Sequence, residues 1–129
     1  MVVDSSALLA ILLGEPRHRT MTKALEQADE KRISAVNFVE ASVVIETRKG
    51  AAGLIELDRL IELSGIEIAA IDERIAREAR TAYRHFGKGR HPARLNLGDC
   101  FAYALAKVLD EPILCVGSDF AKTDIPIVP

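Results

Sequence analysis

Short apolar runs alternate with longer amphipathic segments along the whole chain. The runs are rich in β-branched residues, as parallel strands buried on both faces are. They lie at 2–3, 32–35, 65–71, 112–116 and 125–128. Between them, apolar side chains recur at helical spacing, most clearly from Asp72 to Phe86. Further helices are predicted over 5–13, 16–30, 36–49, 54–64 and 99–109, with Gly50 and Gly53 interrupting a helical hairpin. This alternation predicts an α/β sandwich around a parallel sheet.

Length and composition favour one ordinary globular domain over residues 1–129. The apolar runs are too short to cross a membrane and the first residues lack a signal-peptide pattern, so we expect a cytoplasmic protein. Cys100 and Cys115 lie in apolar segments without metal-ligand spacing, which predicts buried free thiols. With 17 basic and 19 acidic side chains the formal charge is only −2, so any nucleic-acid footprint has to be local.

Acidic residues follow several of the predicted strands. Asp4 ends the first strand, and Asp119 follows the fourth strand by a short turn. Glu40 and Asp99 lie in the opening turns of two helices. Ligands bind beyond the carboxyl ends of the strands in an open parallel sheet, so we expect all these side chains at one edge. Clustered carboxylates repel one another unless a cation neutralises them, and Mg²⁺ prefers such oxygen ligands. The pattern therefore indicates a candidate metal site.

Each of these acids also has a plain structural interpretation. Asp4 and Asp99 are suitable helix N-caps, because their oxygens can accept from free amides of the first turn. Asp119 suits a turn and Glu40 a solvated helix surface. Asp72 also ends a strand and begins a helix, so its position resembles that of Asp4. Spacing alone leaves both interpretations open.

Four separated segments carry more specific information. They are VVDSSALLAIL at 2–12, VNFVEASVVIETR at 36–48, GKGRHPARLNLGDCFAYALAK at 87–107 and GSDFAKTDI at 117–125. Together they closely resemble the PIN-domain ribonucleases, in particular the VapC-type toxins of bacterial toxin–antitoxin pairs, over essentially the whole chain. The resemblance implies a three-layer α/β/α sandwich with strand order 3-2-1-4-5. In that order Asp72 lies at the far edge of the sheet, which favours an N-cap role for it.

The resemblance also implies a function, that of an endoribonuclease toxin dependent on Mg²⁺ or Mn²⁺. The matching acidic positions are Asp4, Glu40, Asp99 and Asp119. Ser6 matches a hydroxyl that helps to order the site, and Asp124 is either a supporting residue or a turn residue. We expect Asp4 and Asp99 to hold the main metal ion, with the other two acids completing its shell directly or through water. Water would then attack the phosphorus atom in line.

A basic segment precedes the helix that carries Asp99. Its cationic side chains, with no acidic residue among them, are Arg84, Lys88, Arg90 and Arg94. Such a cluster can bind RNA phosphates without reading bases, although a merely solvated loop has the same composition. Tyr83, Phe86 and Tyr103 could stack on bases, but their helical spacing favours core packing.

The helical hairpin at 36–64 carries more apolar residues than one sheet face requires. They are Val39, Val43, Val44, Leu54, Leu57, Leu60 and Ile61. In the resembling toxins, surfaces of this kind serve dimerisation and antitoxin binding, so we expect a homodimer and a cognate antitoxin. Two other functions stay open. One is a phospho-receiver domain with Asp72 as its phosphorylated residue, and the other is a catalytically silent PIN-fold module that binds RNA or protein.

Overall fold

A computed structural model describes residues 1–129 as five helices and four short strands. The strands are β1 (Val2–Val3), β2 (Lys31–Ser34), β3 (Ile66–Ala69) and β4 (Ile113–Leu114). The helices are α1 (Ser5–Leu12), α2 (His18–Gln27), α3 (Ala35–Ser64), α4 (Glu73–Phe86) and α5 (Leu97–Leu109), followed by a 3₁₀ turn at Phe120–Lys122. Every helix and the first four strands predicted from the apolar pattern are confirmed, with ends shifted by a few residues. None of the helices is both long enough and apolar enough to cross a membrane.

The sheet is entirely parallel and has the order β3-β2-β1-β4. Val2 pairs with Arg32 on one side and with Ile113 on the other, so the two-residue strand β1 lies between β2 and β4. The predicted fifth strand is reduced to one bridge, in which Ile127 pairs with Ile113 beside β4. Pro126 lies within this segment and has no N–H, so it cannot extend the ladder by donating. The predicted order 3-2-1-4-5 is therefore confirmed for four strands, with the fifth shortened to a bridge in its expected position.

Two hydrophobic cores lie on opposite faces of the sheet, which confirms the three-layer sandwich. Val2 and Ile113 point into the core formed with α4 and α5. Val3 and Leu114 point into the core formed with α1, α2 and α3. Successive residues of a strand face opposite sides, so each two-residue strand contributes one side chain to each core. Cys100 and Cys115 are buried free thiols in the first of these cores, as predicted.

Helix α3 is a hairpin broken at Gly50. This residue has φ 65° and ψ −155°, a backbone conformation that favours glycine. Gly53 was also predicted to interrupt the helix, but it lies within the second arm, where a Cβ atom would come within 2.9 Å of Ile45 O in the first arm. A side chain at position 53 would therefore push the two arms apart. The first arm begins at the carboxyl end of β2 and carries Glu40.

Four helices begin at the carboxyl edge of the sheet or beside it with a polar cap. Asp4 caps α1 by accepting from Ser6, and Ser34 caps α3 by accepting from Asn37. Asn96 caps α5. Asp72 caps α4 through Ile75 N–H (2.9 Å), as predicted, beyond the edge strand β3. The β1–α1, β2–α3 and loop–α5 junctions thus meet at the centre of the sheet, where the candidate acids lie.

Candidate active site

Asp4 lies between β1 and α1 and is almost completely buried. Its backbone N–H donates to Leu114 O (3.0 Å), and its Oδ2 accepts from Ser6 N–H (3.1 Å). The other oxygen, Oδ1, is buried without a hydrogen-bond partner. Burial raises the pKa of Asp4 to about 6; hydrogen bonds from Ser6 oppose the rise, and the charges of Asp99 and Glu40 add to it. Ionisation of Asp4 is therefore less favourable in the folded protein than in an exposed aspartate.

Asp99 lies in the first turn of α5, within a capping box. Asp99 N–H donates to Asn96 Oδ1 (2.9 Å), and Asn96 N–H donates to Asp99 Oδ2 (3.0 Å). The possible N-cap role of Asp99 is thus taken by Asn96, and Asp99 contributes the reciprocal bond. Burial raises the pKa of Asp99, the bond from Asn96 opposes the rise, and the charges of Glu40 and Asp119 add to it.

Glu40 lies on the first arm of α3 and reaches the start of α5. Its Oε1 accepts from the hydroxyl of Ser5. Its Oε2 lies so close to Gly98 that a Cβ atom there would overlap the carboxylate. The fully buried Asn37 holds the two helices together, because its Nδ2 donates to Gly98 O (2.9 Å). Glu40 is therefore fixed from three elements rather than solvated freely.

Asp119 lies in the exposed turn after β4, and its side chain caps nothing. Its charge nevertheless contributes to the raised pKa of Asp99. Ser6 joins the neighbouring strand end to α1, since its hydroxyl accepts from Val116 N–H (3.0 Å). The structure therefore places Ser6 between the Asp4 junction and the loop that carries Asp119.

The four acids share one edge of the sheet, and their charges act on one another. No three His, Cys, Asp or Glu side chains, however, are arranged as a metal-binding group. In this structure Asp99 Oδ2 accepts from Asn96 N–H at the α5 cap, and Glu40 Oε1 accepts from the Ser5 hydroxyl. An added cation would give the buried Asp4 Oδ1 a partner. It would also lower the raised pKa values of Asp4 and Asp99. The donor set is all oxygen and fits a hard divalent ion such as Mg²⁺.

Asp124 lies on the C-terminal segment beside α5. Its Oδ1 accepts from Tyr103 OH (2.6 Å) and its Oδ2 from Lys107 Nζ (2.8 Å). The hydrogen bond from Lys107, and next that from Tyr103, lowers the pKa of Asp124. Both carboxylate oxygens therefore serve to attach the C-terminal segment to α5.

The predicted basic residues surround a loop between α4 and α5. The loop is closed by Lys88 N–H donating to Leu95 O and Leu95 N–H donating to Phe86 O, both at 2.9 Å. The cationic side chains are exposed and form no ion pair: Arg84, Lys88, Arg90 and Arg94. The loop leads directly into the Asn96 cap of α5, three residues before Asp99.

Sequence reasoning missed three residues of the site, namely Ser5, Asn37 and Gly98. Asn37 and Glu40 are three residues apart at the start of one helix, so they share a face, and this spacing could have identified Asn37. The Ser5 and Gly98 contacts join segments distant in sequence, and no local pattern signals them. Tyr83 was also assigned wrongly: it was expected in the core, but 39% of it is exposed, whereas Tyr103 is 4% exposed.

Comparison with known proteins identifies relatives of this chain. A family model described as "PIN domain" matches residues 1–126. Ribonuclease VapC42 of Mycobacterium tuberculosis H37Rv is 45% identical over 126 residues, covering 97% of this chain and 96% of the relative. Ribonuclease VapC of Mycolicibacterium smegmatis is 44% identical over 128 residues, covering 99% of each.

Solved structures share the fold at lower identity. Mycobacterium tuberculosis VapC20, described as a sarcin-ricin loop cleaving toxin, superposes with a TM-score of 0.81 at 16% identity, covering 98% of this chain and 97% of that one. A toxin–antitoxin complex from Klebsiella pneumoniae gives 0.73 at 21% identity, covering 99% and 96%. These likenesses support the parallel α/β architecture.

Proposed function

The chain belongs to the PIN-domain family, as a VapC-type ribonuclease, and from this premise we propose that it hydrolyses RNA with Mg²⁺ or Mn²⁺ at the acidic edge of its sheet. The proposed ligands and catalytic groups are Asp4, Glu40, Asp99 and Asp119. The observation that carries the proposal is the buried, unpartnered Oδ1 of Asp4, held beside the charges of Asp99 and Glu40. Membership of this family excludes the phospho-receiver alternative.

Asp4 and Asp99 are the proposed main ligands, with Glu40 and Asp119 completing the shell directly or through water. When bound, the cation supplies charge neutralisation at the scissile phosphate and acidifies water at neutral pH. A bound cation would also offset the burial that raises the pKa of Asp4 and of Asp99, together with the smaller effect of the neighbouring carboxylates. The site is thus expected to work with both aspartates ionised and to weaken as acid protonates them.

The protein's own contribution is positioning. Ser5 and the bare backbone of Gly98 hold Glu40 in one orientation. Helices α1 and α5 begin beside Asp4 and Asp99, so their amino ends are oriented to favour the negative phosphate group of the substrate. Ser6 fixes the start of α1 to the end of β4. Asp124 supports the region indirectly, by attaching the C-terminal segment to α5.

Arg84, Lys88, Arg90 and Arg94 are proposed to hold RNA phosphates on the approach to Asp99. They are exposed and unpaired, so binding RNA breaks no existing ion pair. Such contacts release counterions and are largely independent of sequence. The basic loop is therefore proposed to bind RNA with little dependence on its base sequence.

A cognate antitoxin and a second copy of this chain are the proposed protein partners. The Klebsiella pneumoniae structure that shares the fold is a toxin–antitoxin complex. On the α3 hairpin, Leu57 and Ile61 are buried in the core, whereas Val39, Val43 and Leu63 are 57%, 59% and 80% exposed. The exposed members offer an apolar contact surface on this side of the molecule.

The test is to map cleaved RNA ends after brief expression of the chain and of its variants. Asp4→Asn and Asp99→Asn should fold and leave no new RNA ends, since asparagine keeps the size of the side chain but not the charge. Asp72→Asn, the matched control at the far side of the sheet, should cleave like the unaltered chain. Cleavage that survived in both site variants would refute the proposal. Absence of cleavage by the unaltered chain, with RNA still bound, would favour the silent-module alternative.

A further inference from the structure

Helices α4 and α5 leave an open groove between them, with a volume of about 600 Å³. This is within the range of pockets that hold small ligands, roughly 300 to 1,000 Å³. Its rim carries Arg80, Arg84 and Arg90, and its walls include Tyr83, Leu97 and Phe101. No acidic side chain lines it. The groove thus combines positive charge with flat apolar surface.

The positive charge of the groove is not neutralised within the protein. The arginines that form ion pairs are Arg32 and Arg77, and none of the groove arginines is among them. The chain as a whole has a formal charge of −2, so this cluster is a local excess. Guanidinium groups bind phosphate oxygens in pairs and stack on aromatic or base planes. The rim therefore matches an anionic ligand that has planar groups.

The groove also presents an aromatic side chain to solvent. Tyr83 is 39% exposed, and the Arg90 guanidinium carbon lies 5.4 Å from its ring centroid. Leu97 is 71% exposed although it begins a helix whose other face is buried. Exposed aromatic rings beside free cations are the usual elements of single-strand binding sites, because every base has a face that can stack.

The groove adjoins the start of α5, the helix that carries Asp99. Cys100 lies in its wall and follows Asp99 directly in the chain, and Leu97 belongs to the same first turn of α5. An RNA strand in the groove therefore contacts the first turn of α5, the turn to which Asp99 belongs. An apolar protein segment would leave the three arginines unmatched, so charge complementarity favours RNA over a second copy of this chain.

We propose that this groove holds an unstacked base of single-stranded RNA next to the cleavage site, with Tyr83 stacking on the base and Arg80 and Arg84 binding the flanking phosphates. This inference rests on the proposed ribonuclease function and adds a base-binding subsite to it. The subsite accepts single strands and excludes continuous duplex, in which the bases are stacked and paired.

The test measures binding of a short fluorescein-labelled single-stranded RNA by anisotropy in Ca²⁺, with intact RNA verified on a gel. Tyr83→Ala should weaken binding about five- to hundredfold, the loss expected for one stacked base, while Tyr83→Phe should bind like the unaltered chain. Arg80→Gln should lower the slope of log affinity against log salt by about 0.7, the value for one phosphate on a single strand. Arg74→Gln removes the same charge from an exposed position of α4 outside the groove and should change the slope little.

The outcomes separate this inference from the proposed function. If the unaltered chain cleaves RNA but Tyr83→Ala and Arg80→Gln bind RNA as it does, the groove proposal is wrong and the ribonuclease proposal stands. If RNA binding follows the predicted pattern but neither the unaltered chain nor any variant cleaves RNA, the groove proposal is supported and the ribonuclease proposal is wrong. Unchanged RNA affinity with an altered molecular mass in solution would show instead a contact between copies of the chain. Failure of the unaltered chain to bind the RNA at micromolar concentration would also overturn the inference.

Discussion

Neutralising Asp4 should stabilise the metal-free protein, and the gain should depend on pH. Burial raises the pKa of this carboxyl from 3.8 to about 6. Because the folded-state pKa lies above the unfolded one, the stability contribution is complete below the unfolded value and is lost as pH rises through the folded value. A shift of about two units corresponds to about 3 kcal/mol at neutral pH. Asp4→Asn keeps a suitable N-cap residue and does not ionise, so it escapes this loss.

The assay is urea unfolding of both proteins in EDTA across a pH series. Between about pH 4 and about pH 7 the unaltered chain should lose about 2 to 3 kcal/mol relative to Asp4→Asn. Burying the new amide in Asp4→Asn has a cost that does not depend on pH. This cost shifts the free energy of unfolding of the variant equally at every pH, so the change between about pH 4 and about pH 7 is unaffected. Asp72→Asn makes the same substitution at the exposed N-cap of α4 and serves as the control. A difference between the unaltered chain and Asp4→Asn that stayed constant over this pH range would refute the reasoning.

Three further predictions follow from the site. Mg²⁺ should stabilise the unaltered chain by about 2.7 kcal/mol at a hundredfold excess over its dissociation constant, and Asp99→Asn should reduce that response in a thermal melt. Changing Arg90 and Arg94 together to Gln should lower the slope of log RNA affinity against log salt concentration, without altering stabilisation by Mg²⁺. An unchanged slope would mean that RNA binds at another surface. Gly98→Ala should displace Glu40 and lower RNA cleavage by roughly tenfold or more. A melting curve should show that the fold is retained. Full activity of this variant would contradict the assigned position of Glu40.

The apolar pattern was enough to predict the sandwich because buried parallel strands and amphipathic helices each have a clear period. The parallel sheet also brought Asp4, Glu40 and Asp99 to one edge, as topology requires. What the pattern could not supply were contacts between distant segments. The hydrogen bond from Ser5 to Glu40 joins two segments that are distant in sequence. The need for glycine at position 98 depends on how α3 packs against α5.

Two predictions from local sequence patterns differ from the structure, one at Tyr83 and one in the C-terminal segment. Tyr83 follows the helical period of the buried face, yet it lines the open groove between α4 and α5. The segment at 125–128 reads as a strand from its β-branched residues, but Pro126 interrupts its donors, so only one bridge forms. In both cases a local preference was overridden by the shape and hydrogen bonding of the surroundings.

The bridge at Ile127 also bears on aggregation. An open sheet edge is a template on which other chains can add strands, and proteins commonly block it with prolines or charges. Here Pro126 and Pro129 flank the bridge on one side of the sheet, while on the other edge Glu67 is 68% exposed and paired with Arg32 (3.4 Å). Both edges are therefore poor templates for strand addition. We expect copies of this chain to associate through surfaces other than the sheet edges.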